Sequence, residues 1–157
     1  MENVDVVRII DEARGFLNAL RKLCLPPAIA WIGLQRIEHD LPSAIERWIK
    51  EDGECTYGEQ TDIDGLAVRR FLRTHLFGRL MVTEGQRSTL EATFSEYVDL
   101  ASDADAAEVE FGRLWRHQSV FVEVSHTDLE MNGCLVLPLT TYIVVVVLGT
   151  ATNREPA

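Results

Sequence analysis

The sequence predicts a mainly α chain of the α+β class, about six helices closed by a C-terminal antiparallel β-hairpin. Three observations lead there. Charged residues recur every few positions from Met1 to Gln118, whereas from Ser119 onward only Glu123, Asp128, Glu130, Arg154 and Glu155 remain. The apolar period changes at the same place, from three- and four-residue steps to strict alternation. Asn132-Gly133 lies between two β-rich runs, and both residues tolerate the positive φ of a type I′ turn. At 157 residues the chain is expected to form one domain. Its parts are a helical body over 1–118, the hairpin over 119–150 and a short tail over 151–157.

In chain order, Val6, Ile9, Ile10, Ala13, Phe16, Leu17, Leu20 and Leu23 lie at helical spacing, so residues 3–24 read as one amphipathic helix. Pro26-Pro27 ends it and can open the next. That second helix carries Ala30, Leu34, Ile37 and Leu41 at three- and four-residue steps, to a break at Asp40-Leu41-Pro42. Ser43 to Glu46 has the form of a capping box and opens a short helix through Ile49, stopped by Gly53. Glu54 to Thr61 is a loop or one short strand. Asp64 caps a helix over Leu66 to Leu76. Thr83 to Gln86 is a second capping box, before a helix to about Leu100. Asp103 caps a last helix to about His117. Trp31, Trp48 and Trp115 then fall in helices and read as core aromatics.

Folding about Asn132-Gly133 sets Met131 opposite Cys134, Val124 opposite Thr141 and Val122 opposite Ile143. Pro138 then faces Thr127 at a hydrogen-bonded position where it has no N–H to give, so a bulge or an earlier end to the ladder is required. The second arm is apolar on both faces, with Ile143, Val145 and Val147 on one and Val144, Val146 and Leu148 on the other. An Ile or Val left wet forfeits roughly 1.5–3 kcal/mol. Covering it takes another strand, a second helix layer or another copy of the chain. A homodimer is the expectation, with Ile143, Val144, Val145 and Val146 at the contact.

Composition bounds the function. The chain is 46% apolar and 25% charged, with a formal net charge of −10. That charge repels bulk nucleic acid and anionic membrane. Cys24, Cys55 and Cys134 are three and widely spaced, which fits neither a disulfide framework nor a zinc knuckle and points to a reducing, cytoplasmic setting. The start, MENVDVVRIIDEARG, is charged from its second residue, unlike a secretory signal. Cys134 to Gly149 falls short of the ~20 residues of a spanning helix, is interrupted by Pro138, Thr140 and Thr141, and has a β-branched centre.

Candidate chemistry is sparse. Arg69, Arg70, Arg73 and Arg79, with His75, form the only basic cluster. Arg69, Arg70 and Arg73 fall within about a third of a helix's circumference and could grip phosphate or a partner's carboxylates. They could equally pair with the acidic stretch that follows, where Glu84, Glu91, Glu96, Asp99, Asp103, Asp105, Glu108 and Glu110 face Arg87 alone. Residues 84–110 are either a docking face for a basic partner or a solvated surface. Glu51-Asp-Gly-Glu54 and Glu96-Tyr-Val-Asp99 resemble the two halves of the carboxylate pattern of all-α nucleotide pyrophosphohydrolases. Their separation is longer than in that family, and Gly53 sits where helix is needed, so membership does not follow. His117-Gln-Ser119-Val120 resembles one half of the two-histidine phosphoesterase motif, with no second copy. His126, Asp128 and Cys134 could form a nucleophilic set if geometry brought them together.

The function expected is therefore a non-enzymatic protein-interaction module, a regulator, adaptor or inhibitor, with no cofactor and no metal site. One alternative is a small hydrolase or nucleotide-processing enzyme using His117 or His126 with nearby carboxylates. Another is a nucleic-acid or nucleotide binder using Arg69, Arg70, Arg73 and Arg79, against which the net charge counts.

Overall fold

A computed structural model describes residues 4–25, 28–51, 56–106, 119–125, 130–139 and 141–150. In order these form α1 (Val4–Arg21), β1 (Ala28–Arg36), α2 (Leu41–Glu51), β2 (Thr56–Ile63) and α3 (Gly65–His75). After a 3₁₀ turn (Phe77–Arg79) come α4 (Glu84–Ala106), β3 (Ser119–Ser125), β4 (Glu130–Pro138) and β5 (Tyr142–Thr150). The strands make one antiparallel sheet in the order β1-β5-β4-β3-β2. Among the described residues there are thus four α-helices and a five-stranded sheet, not six helices and a hairpin. No described helix is long and apolar enough to cross a membrane.

Two apolar layers sandwich the sheet. On one face α1, α3 and α4 pack against Ala28, Ala30, Ile32, Leu135, Val144, Val146 and Leu148. Val6, Ile10, Ala13, Leu17 and Leu20 supply α1's buried stripe at alternating steps of four and three, as its period predicts. Phe16 of α1 meets Tyr97 of α4 at a ring separation of 5.6 Å. On the other face Ala44 and Ile45 of α2 lie over Val120, Val122, Cys134, Val136, Ile143 and Val145.

The doubly apolar β5 is therefore covered within the chain: β1 and β4 flank it and helices lie on both faces. Ile143, Val144, Val145 and Val146 are each 0% exposed. The contact assigned to them in a homodimer is corrected accordingly, because they present no surface to a second copy. A second helix layer and a further strand meet the demand for cover that their composition made.

The largest departure is β1. Ala30 and Leu34 are four apart, a step that satisfies a helix and a strand alike. Ala28, Ala30, Ile32 and Leu34 share the face toward α1, while Trp31 and Gly33 take the other. With both faces covered, no polar alternation marks the strand. Trp31 is consequently no core aromatic. It is 36% exposed and stacks on Trp48 of α2, ring centroids 5.1 Å apart. Gly33 lets the Trp31 ring lie against the strand, since a Cβ there would stand 2.2 Å from it. Arg14 of α1 reaches around this edge, donating from Nε to the Ile32 carbonyl at 2.9 Å and lying 5.1 Å from the Trp31 ring centroid. It thereby occupies an acceptor on an edge strand that could otherwise pair with another chain.

Asn132-Gly133 is not a hairpin loop. Both residues lie inside β4, where the register against β5 slips between Met131 and Gly133. The residues between the strands are 126–129 and 139–141, and Val122 pairs with Cys134, not with Ile143. Gly133 serves a close approach: a Cβ would sit 2.3 Å from the Phe121 ring, itself 5.4 Å from and edge-on to Phe71 of α3. We expect Gly133→Ala to cost about 1–3 kcal/mol of unfolding free energy through overpacking, read as a lower urea midpoint at unchanged slope. The difficulty at Pro138 resolves by the strand ending there, and Leu139 N then donates to Tyr142 O at 2.8 Å across the β4–β5 turn.

Two smaller corrections concern helix ends. α2 begins at Leu41, with Asp40 accepting from Ser43 N at 2.8 Å, so Asp40 caps it and Pro42 sits harmlessly in the first turn. α4 runs unbroken through Leu100 and Asp103 to Ala106, so Asp103 caps nothing. The last helix expected toward His117 falls on 107–118, outside the described residues.

Candidate functional site

Two local signals in the sequence build the region around α3 and α4. Asp64 caps α3, its carboxylate accepting from Ala67 N at 2.8 Å. Thr83 and Gln86 form a reciprocal capping box at the start of α4, Gln86 N to Thr83 Oγ1 at 3.2 Å and Thr83 N to Gln86 Oε1 at 3.0 Å. Between the helices Arg87 donates to the carbonyls of Phe77, at 2.9 Å, and Leu80, at 3.3 Å, which pins the connecting 3₁₀ turn. The two helices are thus fixed at their starts and at their joint.

None of the residues of α3 is fully buried. Val68, Phe71 and Leu72 lean on the core, and Leu66, Arg69, Arg70 and Arg73 point outward. Leu66, at 62% exposed, is an apolar side chain on an arginine-bearing face. The four predicted arginines divide by role. Arg73 makes a bidentate pair with Glu91 of α4, Nε to Oε1 at 3.2 Å and Nη2 to Oε2 at 3.0 Å. The Glu91 carboxylate raises the pKa of Arg73 above its ordinary value, through the hydrogen bond first and charge second. Arg79 is a clasp, donating to the His75 carbonyl and to Thr150 Oγ1 of β5, each at 3.2 Å. Arg69 and Arg70 are exposed and have no hydrogen-bond or ion-pair partner among the described residues.

A cleft of about 280 Å³ runs between the helices. Arg69, Leu72 and Arg73 form one wall and Ser88, Glu91 and Ser95 the other, over a floor of Phe77 and Phe94. Ser88, Glu91 and Ser95 recur at three- and four-residue steps, one face of α4. That spacing was visible in the sequence. What it faced was not, because the angle between α3 and α4 is set by the sheet beneath them. The Arg73–Glu91 pair is exposed on its arginine side, so it contributes at most ~0–1 kcal/mol. Arg73→Ala should accordingly shift the thermal midpoint by less than about 4 °C, and Arg70→Ala should leave it unmoved.

The other candidates do not converge. His117 and His126 lie outside the described residues, as does Asp128, so neither the histidine alternative nor the His126/Asp128/Cys134 set gains geometry. Cys134 is buried beneath α2, and Cys24 is buried against α1, where burial pushes its thiol up and Arg79 partly offsets this. Burial, then Arg79, holds His75 below its ordinary pKa. Glu51 sits on α2 while Glu96 and Asp99 sit on α4, on opposite faces of the sheet, so these three carboxylates do not meet; Asp52 and Glu54 lie outside the described residues. No cluster of three metal-ligating side chains occurs among the described residues.

Comparison with family models, with curated proteins and with solved structures gave no match, so the site's chemistry is read from its own residues.

Proposed function

We propose that the chain is a non-enzymatic protein-interaction module that docks an acidic segment of a partner protein on α3. The observation carrying this is the outward face of α3: one exposed leucine beside two arginines that have no partner among the described residues. Arginine is enriched at interface hot spots, and its planar fork pairs bidentately with carboxylates. In a chain of net charge −10, these cations concentrate on one helix and orient an acidic partner toward it. Cys24 and Cys134 are buried and in no disulfide among the described residues, which suits a reducing cytoplasmic setting.

A photo-crosslinking amino acid placed at residue 66, and in a second variant at residue 46 on α2, tests the reading in the native host. A polypeptide adduct at 66 that is missing at 46 supports docking on α3. Equal adducts at both positions, or none at 66, refute it.

A further inference from the structure

The acidic stretch that follows the arginines takes an ordered place on α4. Glu96, Asp99, Leu100 and Asp103 recur at helical spacing, so at 100° per residue they share about a third of the circumference. All four are exposed. Glu84 and Glu91 hold Arg87 and Arg73, but Glu96, Asp99 and Asp103 have no hydrogen-bond or ion-pair partner among the described residues. Leu66, Arg69, Arg70 and Arg73 stand on α3 at the same spacing. The two stripes thus match in layout and oppose in charge, and each carries one leucine. Leu66, at 62% exposed, and Leu100, at 47%, are the two large apolar side chains left exposed on the described helices. Within one copy the charges of these stripes stay unneutralised except at Arg73, which turns aside to Glu91.

We propose that the acidic partner of α3 is α4 of a second copy of this chain, in a dimer where α3 of each copy lies on α4 of the other. The inference rests on the reading of α3 as a docking element and names what docks there. A twofold axis satisfies both contacts at once, since every copy offers one stripe of each sign. Arg69 and Arg70 then meet Glu96 and Asp99, and Leu66 and Leu100 add apolar area to the contact. The helix α3 has 11 residues, about 16 Å of length and about 10 Å of width. Two contacts of that size fall short of the roughly 800 Å² per partner of a stable complex. The net charge of −10 also opposes association at long range. A weak, reversible dimer is the consequence, at a surface remote from the buried residues of β5.

Sedimentation velocity of the full chain, taken to high micromolar concentration, tests this with two charge-reversed variants. Arg69→Glu/Arg70→Glu turns the α3 stripe acidic, and Glu96→Arg/Asp99→Arg turns the α4 stripe basic. Either change sets like charges against each other, so each variant alone should dimerise about tenfold more weakly or worse. The second variant exchanges two negative for two positive charges, which brings the net charge from −10 to −6. Long-range repulsion therefore cannot account for its dissociation. An equimolar mixture of the two variants should recover a dimer, because the reversed α3 meets the reversed α4 and the two native stripes meet each other. Recovery also shows that both variants are folded. A parent that stays monomeric, a dimer that persists in either variant, or a mixture that recovers nothing would each overturn the proposal. A monomeric parent whose residue 66 still crosslinks a different polypeptide overturns self-docking alone and leaves the docking role of α3 standing. A missing adduct at residue 66 removes both.

Discussion

Val146→Asp is expected to yield no soluble folded protein. Val146 is fully buried in the middle strand, paired with Ile32 of β1 and Leu135 of β4 and packed toward the α1 and α4 layer. Among the described residues the layer around it is an apolar cluster without a cation, and an unpaired buried charge costs several kcal/mol. Adding the lost valine packing brings this near the whole stability of a domain, about 5–15 kcal/mol. Expression should give inclusion bodies, and refolded material should show no cooperative melt. A soluble, cooperatively melting Val146→Asp protein that had merely lost a dimer contact would contradict the burial of β5 and restore the interface the sequence suggested.

Asp105→Ala should be the second largest effect. Asp105 is the one buried charged residue among the described residues, at the last turns of α4. It accepts from Thr141 N at 2.7 Å and from the Thr141 hydroxyl, so one carboxylate ties the helix to the β4–β5 turn. Thr141's carbonyl accepts in turn from Ile37 N at 2.8 Å, which extends the tie to the chain leaving β1. Removing the carboxylate leaves a half-buried amide without its acceptor. Hydrogen bonds to charged groups are worth about 1.5–3 kcal/mol each and are not additive when shared. A loss of about 3 kcal/mol is expected, or a fall of roughly 6–12 °C in melting temperature for a chain of this size. Thr141→Val, which keeps the backbone amide, should cost less than half as much. Equal costs would place the bond's worth in the hydroxyl and not in the turn's backbone.

The helical half was legible in the sequence where local chemistry decides. The stripe of α1 needs only a period, and the caps at Asp64 and at Thr83–Gln86 need only a few neighbouring residues. Long-range cover decided what failed. Ala28–Arg36 reads as helix because its apolar steps fit two periods, and the packing of α2's Trp48 over Trp31 that marks it as a strand is a tertiary contact the local pattern does not display. Asn132-Gly133 reads as a turn because the dipeptide serves equally at a bulge under Phe121. The two apolar faces of β5 demand cover, and helices on both sides of the sheet supply it, while β1, whose strand character its own double apolarity concealed, closes one edge. At the site, the arginines were visible as a cluster. That Arg73 is paired, Arg79 structural and Arg69 and Arg70 free depends on the packing of α3 against α4 and β5.

Affinity capture from a lysate of the native host, quantified by mass spectrometry, tests the central claim most directly when the bait is compared with its Arg69→Glu/Arg70→Glu variant. Both side chains are exposed, so the double variant should melt within about 4 °C of the parent, as two surface changes of about 0.5 kcal/mol each allow. At low salt the parent should retain a discrete polypeptide that the variant loses by at least tenfold, with retention falling as salt screens the charges. The same polypeptides held equally by both baits, or held independently of salt, would contradict recognition by the arginine face of α3.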